Sequence, residues 1–383
     1  MKVKLLNKID KKGLAELGNG YTVGEDVADA DAYLVRSASL LDAEFPASLR
    51  AIARAGAGVN NIPLDRCAEQ GIVVFNTPGA NANGVKELAI ASLLIASRRI
   101  TEGIAWANTL TGEVGKQVEK GKSAFAGPEI SGKTLGVIGL GAIGGIVANA
   151  AASLGMKVVG CDPYITVNAA WSLSSDVSKA DSYDELFPLC DYITLHVPSL
   201  PSTKGMINAE SIAKMRDGVR IINLSRGDIV NSDDIIAAVK SGKVARYVTD
   251  FPDEKLLGID NIICIPHLGA STPESEENCA IMAARELTDF LENGNIHNSV
   301  NYPEISMPRI SAHRIIVLHE NIPNMLAQVS SAISASGVNI DHMVSSSKNT
   351  SAAALFDSDN EFSADVIASI SAVSGVRKAI LLS

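Results

Sequence analysis

The chain has 383 residues, 46% of them hydrophobic and 4% aromatic, which is enough for two or three domains that each bury a full core. Its 33 Lys and Arg against 43 Asp and Glu give a net charge of -10 at pH 7 with no basic block to offset it, so no nucleic-acid partner is expected; a small anionic substrate, which responds to local charge, remains open. Five scattered cysteines, Cys67, Cys161, Cys190, Cys264 and Cys279, form no Cys-x-x-Cys pair, and nothing has metal-ligand spacing, so neither a disulfide framework nor a metal is expected.

The opening stretch MKVKLLNKIDKKG lacks the long apolar core of a signal peptide, and no run approaches a membrane span. A cytoplasmic protein without a membrane partner is the expectation. Residues 1–80 then alternate short apolar runs, Val3 to Leu6, Tyr33 to Val35, Ala51 to Ala53 and Ile72 to Phe75, with loops and a helical segment from Pro63 to Glu69. That order predicts a small parallel α/β unit. The loops Arg36 to Ala38, Arg54 to Asn60 and Asn76 to Asn81 follow these strands, where open parallel sheets bind ligands. As isolated residues, Arg36 and Arg54 read more naturally as solvated surface charges.

A mostly apolar helical pattern runs from Gly84 to about Leu110, and the glycine- and lysine-rich segment Thr111 to Gly127 reads as a loop. The stretch Lys133 to Thr166 then gives strand, glycine turn, helix, strand and acid in sequence. Gly139 permits a tight turn, Gly141 lets backbone approach a pyrophosphate, and Gly144 lets the helix pack close to the strand. Ala142 and Ile143 fill the turn, where backbone N–H groups and the helix end would hold the phosphates. Asp162 would accept from the adenosine ribose hydroxyls. Its charge would repel a 2′-phosphate held about 4 Å away by several kcal/mol at an effective dielectric near 20, which favours NAD over NADP. A bare strand-to-helix turn is the plainer alternative, but the strand, helix, second strand and acid are all in register.

Further strand and helix patterns follow: Tyr192 to His196, Gly218 to Leu224, Ser232 to Lys240, Val244 to Thr249 and Ile262 to Ile265. They predict a doubly wound parallel sheet whose right-handed crossovers bring the succeeding loops to one edge. A helix from Glu274 to Leu291 leads to a linker at Asn301 to Pro308. Residues 312–383 then show strand, helix, two strands, helix, strand, a ferredoxin-like order.

An arginine, an acid and a histidine on neighbouring strand ends make a workable set for oxidising an alcohol beside a carboxylate. Arg226 can hold the carboxylate in a forked, charge-assisted contact worth about 1.5–3 kcal/mol. His267 can take the hydroxyl proton, help worth roughly 10²–10⁴ in rate. Glu254 is expected to hold the imidazole and raise its pKa. An isolated His267 or Arg226 would more often be structural or solvated; their joint placement carries the reading. His196 begins a Pro-containing loop and reads as structural, and His297, His313 and His342 have no partner pattern.

With these segments the chain resembles the D-isomer-specific 2-hydroxyacid dehydrogenase family. The similarity rests on RSA from 36, RAGAGVNN from 54, NTPGAN from 76, GLGAIG from 139, HVPSLPST from 196, NLSRGDIV from 223, DFPDE from 250 and PHLGAST from 266. The resemblance implies Arg226, Glu254 and His267 as the catalytic set. It implies cofactor contacts from Leu224, Ser225, Asp250, His267, Gly269 and Ala270, with Val197 near the adenosine and Ala57 on the facing loop. Substrate contacts fall on Arg36, Ser37, Arg54, Gly56, Gly58, Val59 and Asn81. The loop from Asp250 to Glu254 is one residue shorter than the family's usual pattern, and Lys255 stands where proline commonly follows the glutamate.

The implied architecture is α/β: a discontinuous flavodoxin-like substrate domain of residues 1–80 plus 271–303, a Rossmann-like NAD domain of 81–270, and a ferredoxin-like βαββαβ domain of 310–383 that resembles an ACT regulatory module. The implied reaction is NAD-dependent oxidation of D-3-phosphoglycerate to 3-phosphohydroxypyruvate at the head of L-serine synthesis. In the ACT-like unit, His319, Asn321 and Asn339 would hold L-serine across a paired interface, implying a homodimer or homotetramer; Asn324 stands where that family has glycine. Rival readings are a glyoxylate or hydroxypyruvate reductase, a 2-hydroxyglutarate dehydrogenase, and a non-enzymatic NAD-sensing protein.

Overall fold

The computed structural model describes residues 1–382. They fall into two compact units, residues 1–80 with 273–382 and residues 81–272. In the first, strands β1 (Lys2–Leu5), β2 (Thr22–Gly24), β3 (Ala32–Val35), β4 (Ala51–Arg54) and β5 (Val73–Phe75) pair in parallel in the order β2-β1-β3-β4-β5. Buried on both faces, β3 to β5 read as short unbroken apolar runs. The helix Pro273–Asn293 covers one face with Ala280, Ala283, Ala284, Leu287 and Phe290. Its approach to the helix Lys11–Glu16 requires Gly13, where a Cβ would lie 2.4 Å from that of Ala280.

The second unit holds β6 (Thr134–Ile138), β7 (Lys157–Cys161), β8 (Val177–Lys179), β9 (Tyr192–Leu195), β10 (Val219–Asn223), β11 (Val244–Thr249) and β12 (Ile262–Cys264). The order β12-β11-β10-β9-β6-β7-β8, all parallel, is that of a Rossmann-type sheet. Chain direction away from the centre reverses between β6 and β9, so the loops after these two strands open the crevice where such folds take ligands.

Two segments of this unit differ from the sequence reading. The helix predicted to reach Leu110 ends at Ser97 and resumes as Ile100–Ala107, with Arg98 extended. The backbone at Gly127 comes so close to Ser97 O that a Cβ there would sit 2.2 Å away, in space a continuing helix would cross. The expected loop Thr111 to Gly127 contains a helix, Val114–Gly121, and a 3-10 turn, Lys122–Phe125. The Trp106 ring stacks on Phe125 at 5.1 Å and touches Gly121, a tertiary contact that local glycine content hides.

The first unit ends in β13 (His313–Glu320), β14 (His342–Lys348), β15 (Ser351–Ser358) and β16 (Val376–Leu382), an antiparallel sheet in the order β14-β15-β13-β16. Alternation divides its faces. Ile315, Val317, Ala354 and Phe356 meet the helices Met325–Ala335 and Ala364–Ser371. Ile316, Leu318, Ala353 and Leu355 instead join the core of the β1–β5 sheet, so the C-terminal sheet shares that core. Among the described residues no helix is long and apolar enough to cross a membrane, and no cluster of His, Cys, Asp and Glu has metal-binding geometry.

The C-terminal sheet is tied to the linker before it by a fully buried ion pair. Arg314 donates from Nε and Nη2 to Asp357 at 2.5 and 2.7 Å, and to the carbonyls of Asn293, Met307 and Pro308 at 2.9, 2.8 and 3.0 Å. Replacing one partner leaves the other charge buried without compensation. Arg314→Leu is expected to cost about 3–5 kcal/mol, read as a lowered urea midpoint.

Candidate functional site

At the end of β6 the chain makes two glycine-dependent contacts. Gly139 has φ +86° and faces the loop after β9, where a Cβ would lie 2.4 Å from His196 O and 2.9 Å from Val197 Cγ1. A Cβ on Gly144, the first residue of the helix Gly144–Ser153, would lie 1.9 Å from Gly139 O. Gly141 has nothing within 4 Å of its Cβ position, and Gly141 and Ala142 are exposed while Ile143 is half-buried. The turn is thus pinned at its base and open at its tip, as backbone that must approach a phosphate requires. Asp162 accepts from Leu140 N and Tyr164 N, both at 2.9 Å, so the predicted ribose acid also braces the glycine turn.

Leu224 is buried in the core behind β10, and the Ser225 hydroxyl donates to Leu195 O at 2.5 Å. Asn223, fully buried, donates to Arg226 O at 2.8 Å and accepts from Ser225 N at 3.2 Å. It shapes the turn that presents Arg226 and was not singled out from sequence. A polar residue at the end of an otherwise apolar strand was the available signal.

The Phe251 ring was also missed. Arg226 lies over it with Cζ 5.7 Å from the centroid, and the His267 ring packs on it at 4.4 Å and 52°. Arg226 and His267 therefore share one aromatic platform. Burial, and secondarily the Arg226 charge, push the His267 pKa below its ordinary 6.5. This reverses the expected rise. Among the described residues no hydrogen bond or ion pair joins Glu254 to His267, and Glu254 is exposed, so burial and a neighbouring cation, rather than a carboxylate, act on the imidazole. Asp253, the neighbouring acid, is engaged otherwise: it accepts from Ser232 Oγ at 2.5 Å, Lys255 N at 3.0 Å and Leu256 N at 3.1 Å. Of the two acids, Glu254 alone has no hydrogen-bond partner among the described residues.

Asp250 is 2% exposed, and its Oδ1 has no partner. Burial raises its pKa to about 6 against the opposing pull of Arg226. An orphaned acceptor at the end of β11 fits a ligand carrying N–H donors, such as the carboxamide of nicotinamide. Gly269, buried beside Val85 and Asp250, and Ala270 complete that strand edge. Asn81, at the start of the helix Ala82–Ser97, likewise has a buried Oδ1 without a partner. His196 is held by Thr194 Oγ1 at 3.0 Å, and desolvation lowers its pKa to about 4, in keeping with a structural role.

In the first unit, Asn7 Oδ1 accepts from the backbone N–H groups of Arg36, Ser37 and Ala38 at 2.8, 3.0 and 3.1 Å, fixing that loop. The Arg36 guanidinium pairs with Glu276 at 2.7 Å, and Arg54 Nε donates to Arg36 O at 3.1 Å. Gly56, at φ +151°, leaves room for Arg54, since a Cβ there would lie 2.5 Å from Nη1. Ala57 is exposed at the tip of this loop, and Gly58 and Val59 are half-buried. Each effector candidate has a partner within the chain. His319 is 4% exposed with Nδ1 on Glu320 O at 2.7 Å and Nε2 unpartnered, Asn321 donates to Asn349 O at 2.9 Å, and Asn339 donates to Asp341 at 2.6 Å.

Residues 90–269 match the family model described as D-isomer specific 2-hydroxyacid dehydrogenase, NAD binding domain. The chain is 35% identical over 340 residues to D-3-phosphoglycerate dehydrogenase of Methanocaldococcus jannaschii, covering 85% of this chain and 62% of that protein. It is 35% identical over 285 residues to the human protein of the same name, covering 72% of this chain and 51% of that protein. The chain thus spans between about half and three-fifths of these relatives' length. Among solved structures, the NAD+-bound 3-phosphoglycerate dehydrogenase of Entamoeba histolytica superposes with a TM-score of 0.61 at 28% identity, covering 79% of this chain and 98% of that one.

Gly144→Ala forces a methyl group into Gly139 O, so NADH affinity, read by fluorescence titration, is expected to fall by at least about tenfold together with thermal stability. Gly141→Ala meets no protein atom and should weaken NADH binding while leaving the melting temperature near wild type.

Proposed function

Residues 90–269 belong to the D-isomer specific 2-hydroxyacid dehydrogenase family as its NAD-binding domain, and from that premise we propose that the chain oxidises D-3-phosphoglycerate to 3-phosphohydroxypyruvate, the opening step of L-serine synthesis. The observation that carries the proposal is the shared seating of Arg226 and His267 on Phe251 at the carboxyl edge of a Rossmann-type sheet. Bound NAD supplies the acceptor for the hydride that leaves C2. Gly139, Gly141, Ala142, Ile143 and Gly144 would hold its pyrophosphate, Asp162 its ribose and Asp250 its carboxamide, with Val197, Ser225, Gly269, Ala270 and Ala57 as neighbouring contacts.

The chain's own residues do the rest. Arg226 grips the substrate carboxylate and C2 oxygen through forked N–H donors. His267 accepts the C2 hydroxyl proton on an imidazole nitrogen as the C2–O bond becomes a carbonyl, and returns it in the reverse direction. The depressed His267 pKa keeps the ring neutral at pH 7, ready to act as a base. Once the anionic substrate offsets the Arg226 charge, Glu254 is assigned to steady the imidazolium that forms. Arg36 and Arg54 are assigned to the substrate phosphate, with Ser37, Gly56, Gly58, Val59 and Asn81 supplying polar and backbone contacts.

The Arg36–Glu276 pair favours a second reading, because a guanidinium already neutralised by a carboxylate offers less to a phosphate. An unphosphorylated acid, as for a glyoxylate or hydroxypyruvate reductase, or 2-hydroxyglutarate, is the competing substrate. The C-terminal sheet is assigned as an ACT-type module taking L-serine at His319, Asn321 and Asn339 across a paired interface of a homo-oligomer.

NADH formation followed by absorbance is expected with D-3-phosphoglycerate at a higher kcat/KM than with D-glycerate or D-2-hydroxyglutarate; the reverse ranking selects the second reading, and no turnover with any of them selects an NAD-sensing protein. His267→Ala is expected to lower kcat by about 10²–10⁴ while NADH still binds, and the acid limb of the wild-type profile should lie below pH 6.5, since protonation removes the base. Calorimetric titration with L-serine should give saturable heat that Asn321→Ala reduces; a flat titration removes the effector from the proposal.

A further inference from the structure

The helix Pro273–Asn293 buries Cys279, Ala283, Glu286 and Phe290 at helical spacing along one stripe. Three members are apolar or weakly polar and fill the core. Glu286 is different: it is 8% exposed, its Oε1 accepts from Asn298 Nδ2 at 2.7 Å, and its Oε2 has no partner. A leucine would fill the same space without desolvating a carboxyl group, so packing alone does not account for an acid here. Burial lifts its pKa to about 8, which leaves a neutral acid at pH 7.

What Glu286 holds is connected onward. Asn298 sits in the left-handed region at φ +55°, and its carbonyl accepts from Asn76 N at 3.4 Å. Beside it, Ser299 bridges Phe75 in antiparallel fashion, so this segment caps the free edge of β5. Asn76 Nδ2 donates to Ala57 O at 2.6 Å, and Thr77 N donates to Gly56 O at 3.2 Å. An unbroken series of hydrogen bonds thus leads from a buried carboxyl to the loop that carries Arg54.

We propose that Glu286 is a positioning residue for the loops 54–60 and 76–80: its carboxyl sets Asn298, Asn298 sets Asn76, and Asn76 sets the Ala57 carbonyl. The proposal rests on the functional reading above only in treating these as substrate loops. A neutral side chain with a carbonyl oxygen does the same work, so Glu286→Gln retains the connection, whereas Glu286→Leu keeps the volume and deletes the acceptor.

Three readouts test it in the full chain. In Glu286→Leu, amide exchange of peptides covering 54–60 and 76–80 should accelerate by about tenfold, KM for D-3-phosphoglycerate should rise by a similar factor, and NADH affinity, to which this loop gives only Ala57, should change by less than KM does. Glu286→Gln should match wild type in all three. Asn298→Gly, which permits the left-handed backbone but deletes the amide, should reproduce the exchange signature and serves if Glu286→Leu does not fold. Wild-type exchange in both Glu286→Leu and Asn298→Gly overturns the proposal even if stability drops, as does a Glu286→Gln variant as impaired as Glu286→Leu. If wild-type protein turns over no 2-hydroxy acid, the functional reading fails, and the exchange measurement still decides the role of Glu286.

Discussion

The second unit depends on how closely two turns approach one another at the switch between β6 and β9. Gly139 faces the His196 carbonyl, and Gly144 faces the carbonyl of Gly139, at separations that admit no side chain. Because protein interiors do not deform smoothly around an added methyl group, these contacts fix the direction of the helix Gly144–Ser153 against its strand. The exposed tip at Gly141 and Ala142 gains its geometry from that base. Asp162 adds a second brace by accepting from Leu140 N, so the acid that suits a ribose also holds the turn in shape.

Three arginines, Arg226, Arg36 and Arg54, have backbones or side chains placed by uncharged neighbours. Arg226 is aimed by the amide of Asn223 and the ring of Phe251, Arg36 by the carbonyl oxygen of Asn7, and Arg54 by the absent side chain of Gly56. Loops at the ends of parallel strands have no ladder to satisfy their N–H and C=O groups. Side-chain amides do so instead, and thereby decide where the guanidinium groups point.

Burial also shifts the protonation of three groups in the two units. His267 is driven toward its neutral form by partial desolvation and by Arg226, whereas Asp250 and Glu286 are driven toward theirs by desolvation that outweighs their hydrogen bonds or nearby charge. Placing Glu254 and His267 on neighbouring strand ends suggested the opposite shift for the histidine. The sign depends first on burial and second on which charge lies nearer, spatial facts that residue order does not contain.

Local pattern was sufficient wherever the physics is local. The period of apolar residues, the glycine spacing from Gly139 to Gly144, and the polar residues closing each strand make the two parallel sheets, the βαββαβ tail and the cofactor turn legible in the chain, because strand alternation, helix periodicity and turn chemistry act over a few residues. The break at Arg98, the helix Val114–Gly121, the platform at Phe251, the series from Glu286 to Ala57 and the core shared by the C-terminal and β1–β5 sheets were settled only by tertiary structure. Each depends on atoms distant in sequence meeting within a few ångströms, and neither propensity nor spacing records which backbone carbonyl, ring or guanidinium will be the neighbour.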